Sequence, residues 1–136
     1  GVTLPISRTR SYNMSQSING LSGSTTNFTL YWIPSYQRLV EIKDPAGLFV
    51  FIDVHEGGIL DALFGIPPPN SPWEGMWFDL PANRHNQGCS LSFADGRAER
   101  WKWKAPKIFR ELGQTVSSEE LPDYRRVQDA IRQKWD

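Results

Sequence analysis

The chain has 136 residues, of which 39% are hydrophobic, 12% aromatic and 22% charged, and fifteen Lys and Arg balance fifteen Asp and Glu. Zero net charge argues against a general nucleic-acid binder, which needs surplus cations to displace counterions from phosphate; with this aromatic content it also argues against a disordered chain. No apolar run reaches the roughly 18–20 residues that cross a bilayer, and the single cysteine, Cys89, allows neither an intrachain disulfide nor a cysteine-based zinc site.

One domain is expected at this length. The chain opens on GVTLPISRTR, with no Met and no signal-peptide core, which fits a cytosolic protein whose start is missing or the soluble part of something larger. The first forty residues are polar and turn-rich. Residues 8–14 fit a strand, 15–27 a loop or irregular hairpin with six Ser and Thr, and 28–33 a returning strand. Arg38 to Ile42 is a short piece before the turn Asp44-Pro45-Ala46-Gly47, where proline pre-sets φ. Leu48 to Ile52 is apolar without alternation, which predicts a central strand buried on both faces. Asp53 ends it, and a loop through Gly57-Gly58 follows. Ile59 to Phe64 reads as a helical turn. Four prolines in 66–72 forbid helix or central strand and predict an extended crossing of the surface. Trp73 to Phe78 is aromatic and suits contact with the core.

Ser90 to Lys104 reads as two alternating strands around Asp95-Gly96, residues suited to the positive-φ positions of a tight turn. Leu91 and Phe93 share a face of the first arm. Trp101 and Trp103 share a face of the second, with Lys102 and Lys104 opposite, so the hairpin is half-buried with one wet side. In the tail, Tyr124, Val127, Gln128, Ile131 and Trp135 recur at helical steps beside Arg125, Arg126, Asp129 and Arg132. Pro122 suits a first turn, whereas a capping box from Ser117 to Glu120 would set it too deep. The fold class is therefore α+β, mainly β: an antiparallel sheet of about four to six strands, a β-hairpin at about 90–103 and a C-terminal helix, in a single domain over 1–136.

The stretch LPANRHNQGCSLSFADGRAERWKW places His85 nine residues before Asp95-Gly96. With Arg10-Ser11-Tyr12-Asn13-Met14, Phe51-Ile52-Asp53, Pro81-Ala82 and the tail Pro122 to Arg125, it resembles the H-x9-DG, prepilin-type processing-associated domains. These form the C-terminal globular part of pseudopilin-like and type IV pilin-like proteins, including components like those of type II secretion. Two departures stand out: Arg97 occupies a position where the family usually has His, and the family's leader and long hydrophobic helix are not in this sequence. The resemblance implies a pilin-like C-terminal domain and a non-catalytic structural protein of a filament or secretion system. It would lie in the periplasm or at the cell surface, anchored in the inner membrane before assembly. Its partners would be protein subunits, itself or other pilin-like chains, with no nucleic acid and with membrane contact only through the missing N-terminal helix.

Four residue sets invite a sharper reading. His85 and Asp95 could form a metal or acid–base pair; the preferred reading is architectural, with His85 bonding backbone or a carboxylate at the start of the hairpin and Asp95-Gly96 making the turn. The motif residues His85, Asn86, Gly88, Phe93, Asp95 and Gly96 are then structural, and His85→Ala lowers stability without abolishing any chemistry. Asp53, Glu56 and Asp61, near His55, are calcium candidates as oxygen ligands, and major pseudopilins hold calcium in a C-terminal loop. Their spacing matches no EF-hand, and a solvated loop is preferred; no other cofactor is expected. Trp73, Trp77, Trp101 and Trp103 could stack sugars in an extracellular glycan-binding module, the first alternative function, or pack the core. Arg97, Arg100, Lys102, Lys104, Lys107 and Arg110 form either an electrostatic face for an acidic partner or the wet side of the hairpin, where Lys discourages edge pairing. Arg97, Lys102 and Lys104, with Val127, Ile131 and Trp135 of the helix stripe, are the candidate assembly surface. An enzyme of uncharacterised type is the second alternative: the chain has no phosphate loop, nucleophile elbow or zinc spacing, and a Cys89–His85 pair lacks an orienting third group.

Overall fold

The computed structural model describes residues 11–18 and 35–131. Among them the strands are, in chain order, β1 (Tyr12–Ser15), β2 (Phe49–Asp53), β3 (Leu63–Phe64), β4 (Met76–Trp77), β5 (Gly88–Phe93), β6 (Ala98–Lys102) and β7 (Gln114–Thr115); helix α1 (Leu121–Ile131) follows. Five strands form one sheet in the order β3-β1-β2-β5-β6, and β4 with β7 forms a separate ribbon. Neighbours in the large sheet are antiparallel except β1 with β3. The architecture is thus α+β, mostly strand, with a C-terminal helix.

The apolar run at 48–52 supplies β2, the middle strand. Its expected burial on both faces is corrected. The register slips between Phe49 and Phe51, so Leu48, Phe49 and Ile52 enter the core while Phe51 turns outward, edge-on to Tyr12 at 5.6 Å. The expected helical turn at 59–64 is also corrected: a 3-10 turn forms earlier, at Glu56–Gly58, and residues 63–64 are β3. Asp61 fixes that start by accepting from Leu63 N at 2.8 Å. The proline-rich stretch forms neither helix nor strand, but Ile66 and Pro67 are buried rather than laid across the surface. Gln128 of α1 holds it by donating to Pro67 O at 3.0 Å. The expected strand at 8–14 appears as β1, with residues 8–10 outside the described residues, as is the expected strand at 28–33.

β1 and its exit bury four polar residues, Asn13, Ser15, Gln16 and Ser17, whose side chains replace water with protein partners. Asn13 donates to Leu63 O at 2.9 Å, and Gln16 both donates to Ile66 O (3.0 Å) and accepts from Ile66 N (3.2 Å). Ser17 Oγ donates to the Ile131 carbonyl at the end of α1.

α1 carries its apolar stripe inward. Tyr124, Val127, Ala130 and Ile131 join one cluster with Phe49, Ile52, Leu91, Phe93, Trp101 and Trp103. Ser117 and Glu120 do cap each other, Ser117 N on Glu120 Oε2 (3.1 Å) and Glu120 N on Ser117 Oγ (3.3 Å). That pair sits in a turn before the helix, so Pro122 stays in the first turn.

Beyond β6 the side chains keep alternating, with 101, 103, 105 and 107 buried and 102, 104, 106 and 108 exposed. This period puts Lys107 inside. Its Nζ lies 2.8 Å from Asp123 Oδ2 and donates to Ala105 O at 2.6 Å. The Asp123 carboxylate also accepts from Lys104 N at 3.0 Å and Ala105 N at 3.1 Å. Lys107→Met is expected to strand this carboxylate and cost about 3–5 kcal/mol, read as a fall in urea midpoint; a loss under about 1 kcal/mol would deny the pair its role.

Asp79 is a half-buried acid. Its Oδ2 accepts from Gly65 N at 2.7 Å, and Asp79 N donates back to Gly65 O at 3.2 Å. Burial pushes its carboxyl up from 3.8 to about 7, against the Gly65 bond and helped by the charge of Asp61. The folded value exceeds the unfolded one, so the protonated acid contributes stability that is present below about pH 4 and lost as pH rises through 7. Asp79→Asn should therefore gain melting temperature over the parent at pH 8 and lose that advantage at pH 4; equal differences at both pH values would contradict the burial effect.

Candidate functional site

His85, Asn86 and Gly88 of the sequence motif lie at the open end of the β5–β6 hairpin, and Phe93, Asp95 and Gly96 lie at its turn. Asp53, at the end of β2, is the hub. Its Oδ1 accepts from Ser11 Oγ at 3.2 Å and its Oδ2 from Ser90 N at 3.4 Å, while Arg84 Nη1 lies 3.8 Å away. Its backbone carbonyl accepts from Ala82 N at 2.9 Å, and Ser11 O accepts from Val54 N at 2.7 Å. Arg84 also reaches Val54 O and Glu56 Oε2, each at 3.2 Å. Segments starting at 11, 53 and 82 are thereby tied to one another.

Between Arg84 and Gly88 the chain makes a closed loop, with Arg84 N on Gly88 O (2.8 Å) and Gly88 N on Arg84 O (2.9 Å). His85, Asn86 and Gln87 all lie in the left-handed region, with φ of 51°, 65° and 61°. Three such residues in a row are strained for L-amino acids and need outside support. Arg100 of β6 supplies it by donating to the carbonyls of His85 and Asn86. Trp103 N donates to Gln87 O at 2.8 Å, Gln87 Nε2 returns to Trp103 O at 2.9 Å, and Trp103 Nε1 donates to Ala82 O at 2.8 Å. Gly88 is required, because a Cβ there would stand 2.3 Å from Trp101 O.

His85 therefore differs from its expected role. Its imidazole is exposed and makes none of the bonds that hold this junction; its backbone carbonyl does the bracing. The hairpin turn differs as well. Gly96 N bonds Phe93 O at 2.9 Å and Phe93 N bonds Arg97 O at 2.8 Å, so Ala94 and Asp95 are the central turn residues and only Gly96, at φ 89°, is left-handed. Asp95 Oδ1 accepts from Arg97 N at 3.0 Å, and Oδ2 meets Arg97 Nη1 at 3.2 Å. The six residues of β5 separate His85 from Asp95 by roughly 20 Å, so the two form no metal or acid–base pair.

The calcium candidates do not converge. Asp53 and Glu56 both face the Arg84 guanidinium, Asp61 binds its own loop, and among the described residues there is no group of three metal-ligating side chains. His55 accepts from Gly57 N at 3.1 Å and stacks on Phe109 at 5.9 Å. Trp77, Trp101 and Trp103 are buried, so the sugar platform of the alternative reading loses three of its four rings to the core. Burial also pushes the Cys89 thiol up, which keeps it protonated and unreactive.

Of the candidate assembly surface, Arg97, Lys102 and Lys104 are exposed. Val127 and Ile131 are fully buried, because the sheet's inner face occupies their stripe, and they leave the surface set; Trp135 lies outside the described residues. Lys107 leaves the basic face for the reason given above. Sequence reasoning missed Arg84 and Arg126, and it placed Arg100 in the basic face without its bonds to the His85 and Asn86 carbonyls. The guanidinium carbons of Arg97 and Arg126 lie over the Phe93 and Trp101 rings, at 4.5 and 3.9 Å from the ring centres. With Gly47, Glu99, Asp129 and Ala130 they line a groove of about 370 Å³ between the hairpin and α1. No helix among the described residues is long and apolar enough to cross a membrane. Comparison with protein-family models, with curated proteins and with solved structures finds no match in any of the three.

Gly88→Ala should cost at least about 3 kcal/mol through the clash with Trp101 O, whereas His85→Gly, which keeps the carbonyl and suits the left-handed backbone, should stay within about 1 kcal/mol of the parent. Urea unfolding of both variants distinguishes backbone from imidazole; a larger loss for His85→Gly than for Gly88→Ala would reverse the assignment.

Proposed function

We propose that this chain is the globular domain of a pseudopilin-like or type IV pilin-like protein and acts by assembly. The reading rests on the junction around Asp53, where motif residues from Ser11 to Trp103 spend their polar groups largely on backbone atoms. Such bonds fix a shape. The candidate catalytic groups support the same reading: His85 and Asp95 stand at opposite ends of β5, and Cys89 is a buried, neutral thiol. The exposed cations of the hairpin, Arg97, Lys102 and Lys104, are then the contact surface for neighbouring subunits. The protein would work in the periplasm or at the cell surface, brought there by an inner-membrane-anchored precursor.

The test is expression of the complete gene, epitope-tagged, in its own host, followed by envelope fractionation and chemical cross-linking. The expected result is a ladder of cross-linked species in the envelope or sheared surface fraction, lost in Gly88→Ala. Recovery of the tagged protein solely as a cytosolic monomer would overturn the proposal.

A further inference from the structure

β6 is the last strand of its sheet, and no partner strand among the described residues covers its outer side. The ladder fixes which backbone groups face out. Phe93 bonds Arg97 and Trp103 bonds Gln87, and the register between these pairs sets Leu91 opposite Glu99 and Cys89 opposite Trp101. Hydrogen-bonded pairs alternate along an antiparallel ladder, so Glu99 and Trp101 spend their amides and carbonyls on β5. The amides and carbonyls of Ala98, Arg100 and Lys102 point away from the sheet, and all three residues are exposed.

The groove lined by Trp101 and Arg126 runs beside this edge, between β6 and α1. The Arg126 guanidinium carbon stands 3.9 Å from the centre of the Trp101 ring, which places a cation in the lining of the groove. On the exposed face Arg100, Lys102 and Lys104 follow the edge with no acid between them in sequence, whereas on the groove side Arg97 and Arg126 stand with Asp95, Glu99 and Asp129. Open backbone groups, an adjacent groove and surplus cations thus coincide.

We infer that the β6 edge is a docking site for an extended acidic segment of another polypeptide, added to the sheet as a further antiparallel strand. Charge decides the occupant. A second copy pairing through its own β6 would set Arg100 and Lys102 against like charges, which is unfavourable across a strand pair. In an extended segment with Asp or Glu at every second position, all the carboxylates lie on one face, the face of Arg100 and Lys102. The inference names a partner for the basic hairpin surface, and it holds or fails independently of the assembly reading, which envelope fractionation tests.

The experiment titrates the isotope-labelled chain by NMR with the capped peptide Val-Glu-Val-Glu-Val-Glu-Val, with its Lys-for-Glu counterpart, and with a version N-methylated at each Glu. Methylation keeps the charges and removes the donors that face β6 in an antiparallel pairing. The expected result is saturable shifts centred on 98–104, at least about tenfold weaker for the Lys peptide and for the methylated peptide, and weakened likewise by Lys102→Glu. Equal binding of the methylated peptide would reduce the effect to charge attraction and overturn strand addition. Equal binding of the Lys peptide, no binding at all, or self-association of the chain through 98–102 in sedimentation would also overturn it.

Discussion

Taking the Lys107 ammonium out of water removes a hydration shell worth several kcal/mol, and each group around it replaces part of that shell. Asp123 brings a full negative charge, Ala105 a carbonyl, and the faces of Trp103 and Trp77 stand 5.0 and 6.0 Å away. Asp123 in turn collects the amides of Lys104 and Ala105. The pair therefore pins the exit of β6, the first turn of α1 and the β4–β7 ribbon, through Trp77, to one point. Hydrophobic burial of α1 alone would leave the helix free to slide along the sheet; a charge that must meet its partner does not.

The hairpin and the helix were legible in the sequence because local period and turn chemistry decide them. Asp95-Gly96 between alternating arms needs no distant partner, and the stripe from Tyr124 to Ile131 follows 3.6-residue steps. β1 was legible only in part: residues 8–14 read as a strand, but Ser15 and Gln16 read as loop, since the backbone that satisfies the Gln16 side chain lies 50 residues away. Lys107 was misplaced by its charge. The alternation Trp101, Trp103, Ala105, Lys107 carried the correct signal, but a cation on an inner face makes sense only once Asp123 stands opposite.

At the motif junction the spacing pointed to the right place and the wrong atoms. Nine residues between His85 and Asp95-Gly96 measure one strand and its two ends, and both ends are specialised backbone. One end is a turn with a left-handed glycine. The other is three left-handed residues whose carbonyls Arg100 gathers. Side-chain chemistry draws the eye to the imidazole, while the physical demand is for a residue that tolerates positive φ and a glycine that admits Trp101 O. Arg100 was read as one more surface cation because nothing local marks its reach back across the hairpin.

The order of strands also has a temporal meaning. β5 and β6 adjoin in sequence and can pair as soon as they leave the ribosome, whereas β1 lies between β2 and β3 and joins Gln16 to Ile66 across 50 positions. Long-range closures of this kind come late in folding, so β1, the first strand among the described residues, waits for its neighbours. A waiting segment of valines and isoleucines would be adhesive. Asn13, Ser15 and the following Gln16 stay hydrated until their sockets exist, so the polarity of β1 and its exit also makes the nascent chain less prone to clump.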